Sequence, residues 1–161
     1  MNILIIEDEL RAANRLERYI KKIIPAANIL AKIPSIYGAI SWFDQHSAPD
    51  LIFLDVQLED GESFQILEQR NITSPIIFCT AYSQYALKAF SVNSIDYLLK
   101  PIVLTELERA LAKYQRYAGY QMDGPYWPKF PSVLVAEGEL GSGETDPSQK
   151  LWRKQFLVAV A

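Results

Sequence analysis

Four consecutive apolar residues, Leu51-Ile52-Phe53-Leu54, run straight into the carboxylate of Asp55. A strand with no polar face must be covered above and below, which is the situation of a strand inside a parallel sheet flanked by helices. An acid at its carboxyl end then stands on the rim where open α/β sheets bind ligands. By itself the stretch reads equally well as a buried strand closed by a solvated acid. The decision rests on what the other strands carry at the same edge.

The other segments repeat the arrangement. Residues 2–6 form an apolar first strand followed by Glu7-Asp8-Glu9, and Leu10, Ala13, Leu16, Ile20 and Ile23 then recur at helical spacing until Pro25. Residues 28–32 predict a second strand. Ser35 caps a second helix with Ile36, Ala39, Ile40 and Phe43 on its apolar stripe. After the third strand, residues 50–55, Glu59-Asp60-Gly61 makes a turn, and Phe64, Ile66 and Leu67 mark a short third helix. Residues 75–79 predict a fourth strand ending at Thr80-Ala81, residues 83–90 a fourth helix, and residues 95–99 a fifth strand ending at Lys100-Pro101. Leu104, Leu107, Leu111 and Tyr114 mark a last helix to about Tyr117. Strands alternating with helices imply an α/β fold, a doubly wound parallel sheet of five βα units over residues 1–119.

Beyond Gly119 the texture changes. Gly124, Gly138, Gly141 and Gly143 with Pro125, Pro128, Pro131 and Pro147 suggest a linker over residues 120–150. Residues 151–161 suggest one extra strand with no partner, as if the chain stopped at the start of a second domain. A net charge of −3 across 161 residues argues against strong nucleic-acid binding by this chain. No apolar run is long enough to span a bilayer, and the first apolar segment meets an acidic cluster, unlike a signal peptide. With a single cysteine, Cys79, no internal disulfide can form, in keeping with a cytoplasmic protein.

Glu7 and Asp8 follow the first strand, Asp55 the third, Thr80 the fourth and Lys100 the fifth. In a parallel sheet these positions share one edge. Clustered carboxylates repel and raise one another's pKa unless a cation holds them together. Oxygen donors with room for water suit Mg²⁺, which bridges to phosphate oxygens. An opposing lysine and a threonine hydroxyl suit a phosphoryl group, and an aspartate there can accept it as an acyl phosphate.

The joint pattern Glu7-Asp8, Asp55, Thr80 and Lys100-Pro101, with Tyr97 three residues before the lysine, resembles the receiver domain of two-component response regulators. The resemblance implies the flavodoxin-like strand order 2-1-3-4-5 and phosphorylation of Asp55 by a sensor histidine kinase. It implies Mg²⁺ (or Mn²⁺) held by Asp8, Asp55 and the Gln57 backbone carbonyl, with Glu7 assisting through water. Thr80 and Lys100 would contact the phosphoryl group, and Tyr97 would turn inward as Thr80 moves. The stretch from Phe78-Cys79-Thr80-Ala81-Tyr82 to Phe90, continuing through Asn93 and Asp96-Tyr97-Leu98-Leu99-Lys100-Pro101-Ile102, is similar to the LytTR subfamily. There a receiver precedes a DNA-binding domain, whose first strand Arg153-Lys154-Gln155-Phe156-Leu157-Val158 resembles. Receivers of this type often dimerise on phosphorylation, here through a face including Tyr85, Lys88 and Phe90.

Two departures stand out. Glu59 occupies a position where many receivers have proline. Gln57 and Tyr82, two residues after Asp55 and Thr80, flank the path of attacking water in the family and would tune the lifetime of the acyl phosphate. Gln57 also argues against a phosphatase of the haloacid dehalogenase type, which needs a second aspartate there as general acid. A flavin site is disfavoured because the first loop offers Glu7 and Asp8 where a phosphate-binding loop is needed. A receiver that binds partners without being phosphorylated stays open. His46, the only histidine, is expected on the surface.

Overall fold

The computed structural model describes residues 1–89, 92 and 94–121. In chain order the elements are β1 (Asn2–Ile6), α1 (Leu10–Ile23), β2 (Asn28–Ile33), α2 (Ile36–Gln45), β3 (Leu51–Leu54), β4 (Gln57–Leu58), β5 (Gly61–Glu62), α3 (Phe64–Gln69), β6 (Ile76–Thr80), α4 (Ala86–Ala89), β7 (Ser94–Leu99) and α5 (Leu104–Gln121). A single 3₁₀ turn, Ser83–Tyr85, leads into α4. Five strands form one parallel sheet in the order β2-β1-β3-β6-β7. With β6 and β7 as the fourth and fifth long strands, this is the expected order 2-1-3-4-5.

Alternation along the central strands divides the core in two, because successive side chains point to opposite faces. Ile3, Ile5, Leu51, Phe53, Ile77 and Cys79 face α1 and α5, where they meet Leu16, Ile20, Leu107 and Leu111. Leu4, Ile6, Ile52, Leu54, Ile76 and Phe78 face α2, α3 and α4, meeting Ile36, Ala39, Phe64, Ile66 and Ala89. All four residues of β3 are buried, as its unbroken apolar run requires. Cys79 is a core residue. His46 lies on the surface, its ring stacked on Trp42 at 4.7 Å.

Several local expectations shift. Leu10 is 66% exposed, so the buried stripe of α1 begins at Ala13. The fourth helix is divided into the 3₁₀ turn and the four-residue α4. Helix α5 reaches Gln121. Between β3 and α3 the chain makes a small antiparallel hairpin, pairing Gln57 with Glu62 and Leu58 with Gly61. Gly61 permits the turn at φ 135°, a backbone state that side-chain-bearing residues avoid. The first two residues of the proposed linker belong to α5, while residues 122–150, the final strand and Phe90 lie outside the described residues.

The hairpin is fastened to the start of α2. Ser35 caps α2 by accepting from the Gly38 N–H at 3.1 Å. Asp60, at the hairpin tip, accepts from the Ile36 and Tyr37 N–H groups at 2.8 and 3.0 Å. A carboxylate on the free N–H groups of a helix start is favoured by hydrogen bonding and by the helix dipole. Asp60→Ala should therefore lower stability by about 1–2 kcal/mol. Urea unfolding checks this: the midpoint falls with an unchanged slope, whereas an unchanged midpoint would show that the clamp contributes nothing.

Candidate functional site

The sheet ladder itself aligns the rim residues. Glu7 donates its N–H to Ile33 O at 2.8 Å, Asp55 to Ile6 O at 2.9 Å, and Lys100 to Thr80 O at 2.8 Å. Each residue is thus held by the strand next to its own, so three residues distant in sequence reach one end of the sheet in register. Glu7 and Asp55 are buried, at 5% and 6% exposure, and Thr80 is fully buried. Asp8 is exposed and stands at the mouth. Glu7, Asp8 and Asp55 each offer an oxygen within 4.8 Å of the others.

Between the buried acids lies the Lys100 ammonium. It is 2.7 Å from both carboxylate oxygens of Glu7 and 2.6 Å from Asp55 Oδ2. Burial pushes the Glu7 carboxyl above its ordinary range, against the pull of Lys100 and with the push of Asp55. Burial also works against the lysine charge, but hydrogen bonds to Asp55 and Glu7 outweigh it and hold its pKa above the usual value. Hard oxygen donors open to water on the Asp8 side fit Mg²⁺ or Mn²⁺.

A second group of side chains surrounds this triad. Gln57 donates its N–H to Asp55 Oδ1 at 3.2 Å and its side-chain amide to the Tyr85 hydroxyl at 3.2 Å. Thr80 Oγ1 accepts from the Tyr82 N–H at 3.4 Å. The Tyr97 hydroxyl donates to the Tyr82 carbonyl. Burial first, then the charges of Asp55 and Tyr85, raise the Tyr97 phenol to about 12. The structure therefore brings Glu7, Asp8, Asp55, Gln57, Thr80, Lys100, Tyr82 and Tyr97 to one edge. Glu59 is exposed on the hairpin. Sequence reasoning missed Asp60 and Glu62, because a hairpin of two-residue strands leaves no periodic pattern to read.

Residues 3–112 match the response regulator receiver domain family. This chain belongs to that family. The receiver is 33% identical over 138 residues to the sensory transduction protein LytT of Bacillus cereus, covering 84% of this chain and 55% of that protein. It is 37% identical over 121 residues to LytT of Bacillus subtilis, covering 72% of this chain and 48% of the relative. The chain thus spans about half the length of the curated relatives it matches. Among solved structures, the response regulatory domain of mrkE from Klebsiella pneumoniae superposes with a TM-score of 0.66 at 27% identity, over 75% of this chain and all of that one. No described helix of the receiver is long and apolar enough to cross a membrane.

Removing Lys100 leaves two buried carboxylates facing each other. Because Lys100 is itself one-fifth exposed, Lys100→Met should cost about 2 kcal/mol at neutral pH, less than a fully buried pair would. The pH dependence has a definite sign. Glu7 already binds its proton more tightly folded than unfolded, so its stabilising contribution is full below the ordinary glutamate value of 4.5 and is lost as pH rises through the raised folded value. Without the lysine that folded value rises further, so the deficit should shrink as pH falls. Urea unfolding of both proteins in EDTA across this range checks it; a pH-independent difference would contradict the pairing.

Proposed function

We propose that Asp55 accepts a phosphoryl group from a sensor histidine kinase and that the receiver acts as a cytoplasmic signalling switch. The supporting observation is that the Lys100 ammonium, a cation suited to phosphoryl oxygens, already lies on a buried aspartate at the sheet rim. Asp8, Asp55 and the Gln57 backbone carbonyl would hold Mg²⁺ (or Mn²⁺) directly, with Glu7 assisting through water. When bound, such a cation would offset the charge of the acids and supply positive charge to stabilise the phosphoryl oxygens. In the transfer step an Asp55 carboxylate oxygen attacks phosphorus. The bond from phosphorus to the donor breaks, and the electron pair stays with the donor. Lys100 then follows the charge from the carboxylate to the phosphoryl oxygens, and Thr80 donates its hydroxyl to one of them.

The response would run through Thr80 and Tyr97. A hydroxyl drawn towards the phosphoryl group leaves room beside Phe78, whose ring lies 6.1 Å from that of Tyr97. Tyr97 would then leave the Tyr82 carbonyl and turn inward, shifting the equilibrium between two arrangements. Two phosphorylated receivers would pair through a face including Tyr85, Lys88 and Phe90. The output would be transcriptional, through a DNA-binding domain of LytTR type beyond residue 150, with residues 120–150 as its tether. A binding module that works without phosphorylation is the alternative, and the complete acid, threonine and lysine set weighs against it.

Incubation with Mg²⁺ and acetyl phosphate, followed by intact mass measurement, tests the reading. One phosphoryl adduct is expected on the wild type and none on Asp55→Asn. An adduct that persists in the variant would remove Asp55 as acceptor, and no adduct on either protein would favour the binding module.

A further inference from the structure

The hydroxyl of Tyr85 sits between two side chains of the hairpin that follows the proposed acceptor. It is 2.8 Å from Glu62 Oε1 and 3.2 Å from the Gln57 amide nitrogen. Gln57 and Glu62 are directly paired across β4 and β5, so one phenol grips both strands. Lys88, one turn further along the same segment, pairs with the other Glu62 oxygen at 3.4 Å and lies over the Phe64 ring at 4.3 Å. The ring of Tyr85 is itself held, 6.2 Å from both Phe64 and Tyr82.

A phenol has one proton to donate. Here an ionised carboxylate takes it, and hydrogen bonding from Tyr85 and Lys88 keeps Glu62 below the usual carboxylate range. Tyr85 can therefore offer Gln57 only a lone pair, and the carboxamide must present its NH₂. The orientation of the Gln57 side chain thus follows from its partners. Glu62 dictates the Tyr85 proton, and Tyr85, together with a weaker interaction between the same amide and Glu62, dictates which end of the carboxamide is presented. The backbone of the same residue donates to Asp55 Oδ1, so the tethered amide belongs to the immediate surroundings of the acceptor.

We propose that Tyr85 is a positioning residue that restrains the Gln57 carboxamide and thereby slows loss of the phosphoryl group from Asp55. This rests on the reading of Asp55 as acceptor. In that loss, a water oxygen attacks phosphorus and the bond to the Asp55 oxygen breaks. The carboxylate is regenerated, and the water's protons leave with inorganic phosphate. A carboxamide can orient such a water by accepting one of its protons in a hydrogen bond, as glutamines do in phosphoryl transfer. Held by Tyr85, the Gln57 amide is not free to swing to that task.

Tyr85→Phe removes the hydroxyl and retains the ring packing, so it tests the tether with little threat to folding. After phosphorylation with acetyl phosphate and removal of the donor, decay of the adduct is followed by intact mass in the wild type, Tyr85→Phe, Gln57→Met and the double variant. Tyr85→Phe should lose its phosphoryl group about fivefold faster, the rate equivalent of releasing one neutral hydrogen bond. In the Gln57→Met background the same change should have no effect. A structural role for Tyr85 would instead act equally in both backgrounds. Decay of Tyr85→Phe at the wild-type rate or slower, or equal acceleration in both backgrounds, would overturn the inference while leaving Asp55 as acceptor. Failure of the wild type to take any phosphoryl group would overturn the acceptor reading and this inference with it. An independent check needs no phosphorylation: the side-chain NH₂ resonances of Gln57 should move in Tyr85→Phe, and unmoved resonances would show that there is no tether.

Discussion

One ammonium group governs the rim of this sheet. Glu7 and Asp55 are both buried, and like charges at such separation repel by on the order of 3 kcal/mol at the effective dielectric of partly buried sites. Lys100 reaches both, 2.7 and 2.6 Å away, and turns a repelling pair into a neutralising network. Its hold is incomplete by construction, because three acids meet one lysine and the third, Asp8, opens to water. The remaining negative charge is what a divalent cation would complete. Electrostatic need and the proposed chemistry thus point to the same few ångströms.

The sheet makes this arrangement affordable in a chain of this size. Glu7, Asp55 and Lys100 are placed by hydrogen bonds of the ladder, which every parallel strand forms regardless of function. The apolar residues of β1, β3 and β6, packed on both faces, keep those strands from sliding. Tyr82 links two of the rim residues: its N–H donates to Thr80 Oγ1 and its carbonyl accepts from the Tyr97 hydroxyl. The hairpin adds a second line, from Asp55 through Gln57 to Tyr85.

Most of this was legible in the residues alone, for physical reasons. The run 51–54 is apolar at every position because β3 is the central strand, covered on both faces. Acids, threonine and lysine at strand ends are visible because the sheet edge converts distant sequence positions into neighbours. Less was legible where a contact is made by few residues. The β4–β5 hairpin is too short to show a period, so Asp60 passed for part of a turn when its carboxylate is the second clamp on α2. Glu62 gave no signal at all. Nothing in the sequence announces that the Tyr85 hydroxyl engages both Gln57 and Glu62, because the contact crosses from the fourth-helix segment to the hairpin. Helical spacing placed Leu10 on the stripe of α1, but it lies at the first turn, beyond the reach of the sheet.

The central claim is that Asp55, paired with Lys100 beside Glu7 and Asp8, is the phosphoryl acceptor and shares its cation. A crystal structure of the chain with Mg²⁺ and beryllofluoride, a mimic of the phosphoryl group, tests it most directly. The mimic should bond to a carboxylate oxygen of Asp55, with the metal on Asp8, Asp55 and the Gln57 carbonyl. Lys100 should have moved from the carboxylates to a fluorine. A mimic bound to another residue, or a metal that leaves Asp55 uncoordinated with Lys100 unmoved, would contradict it.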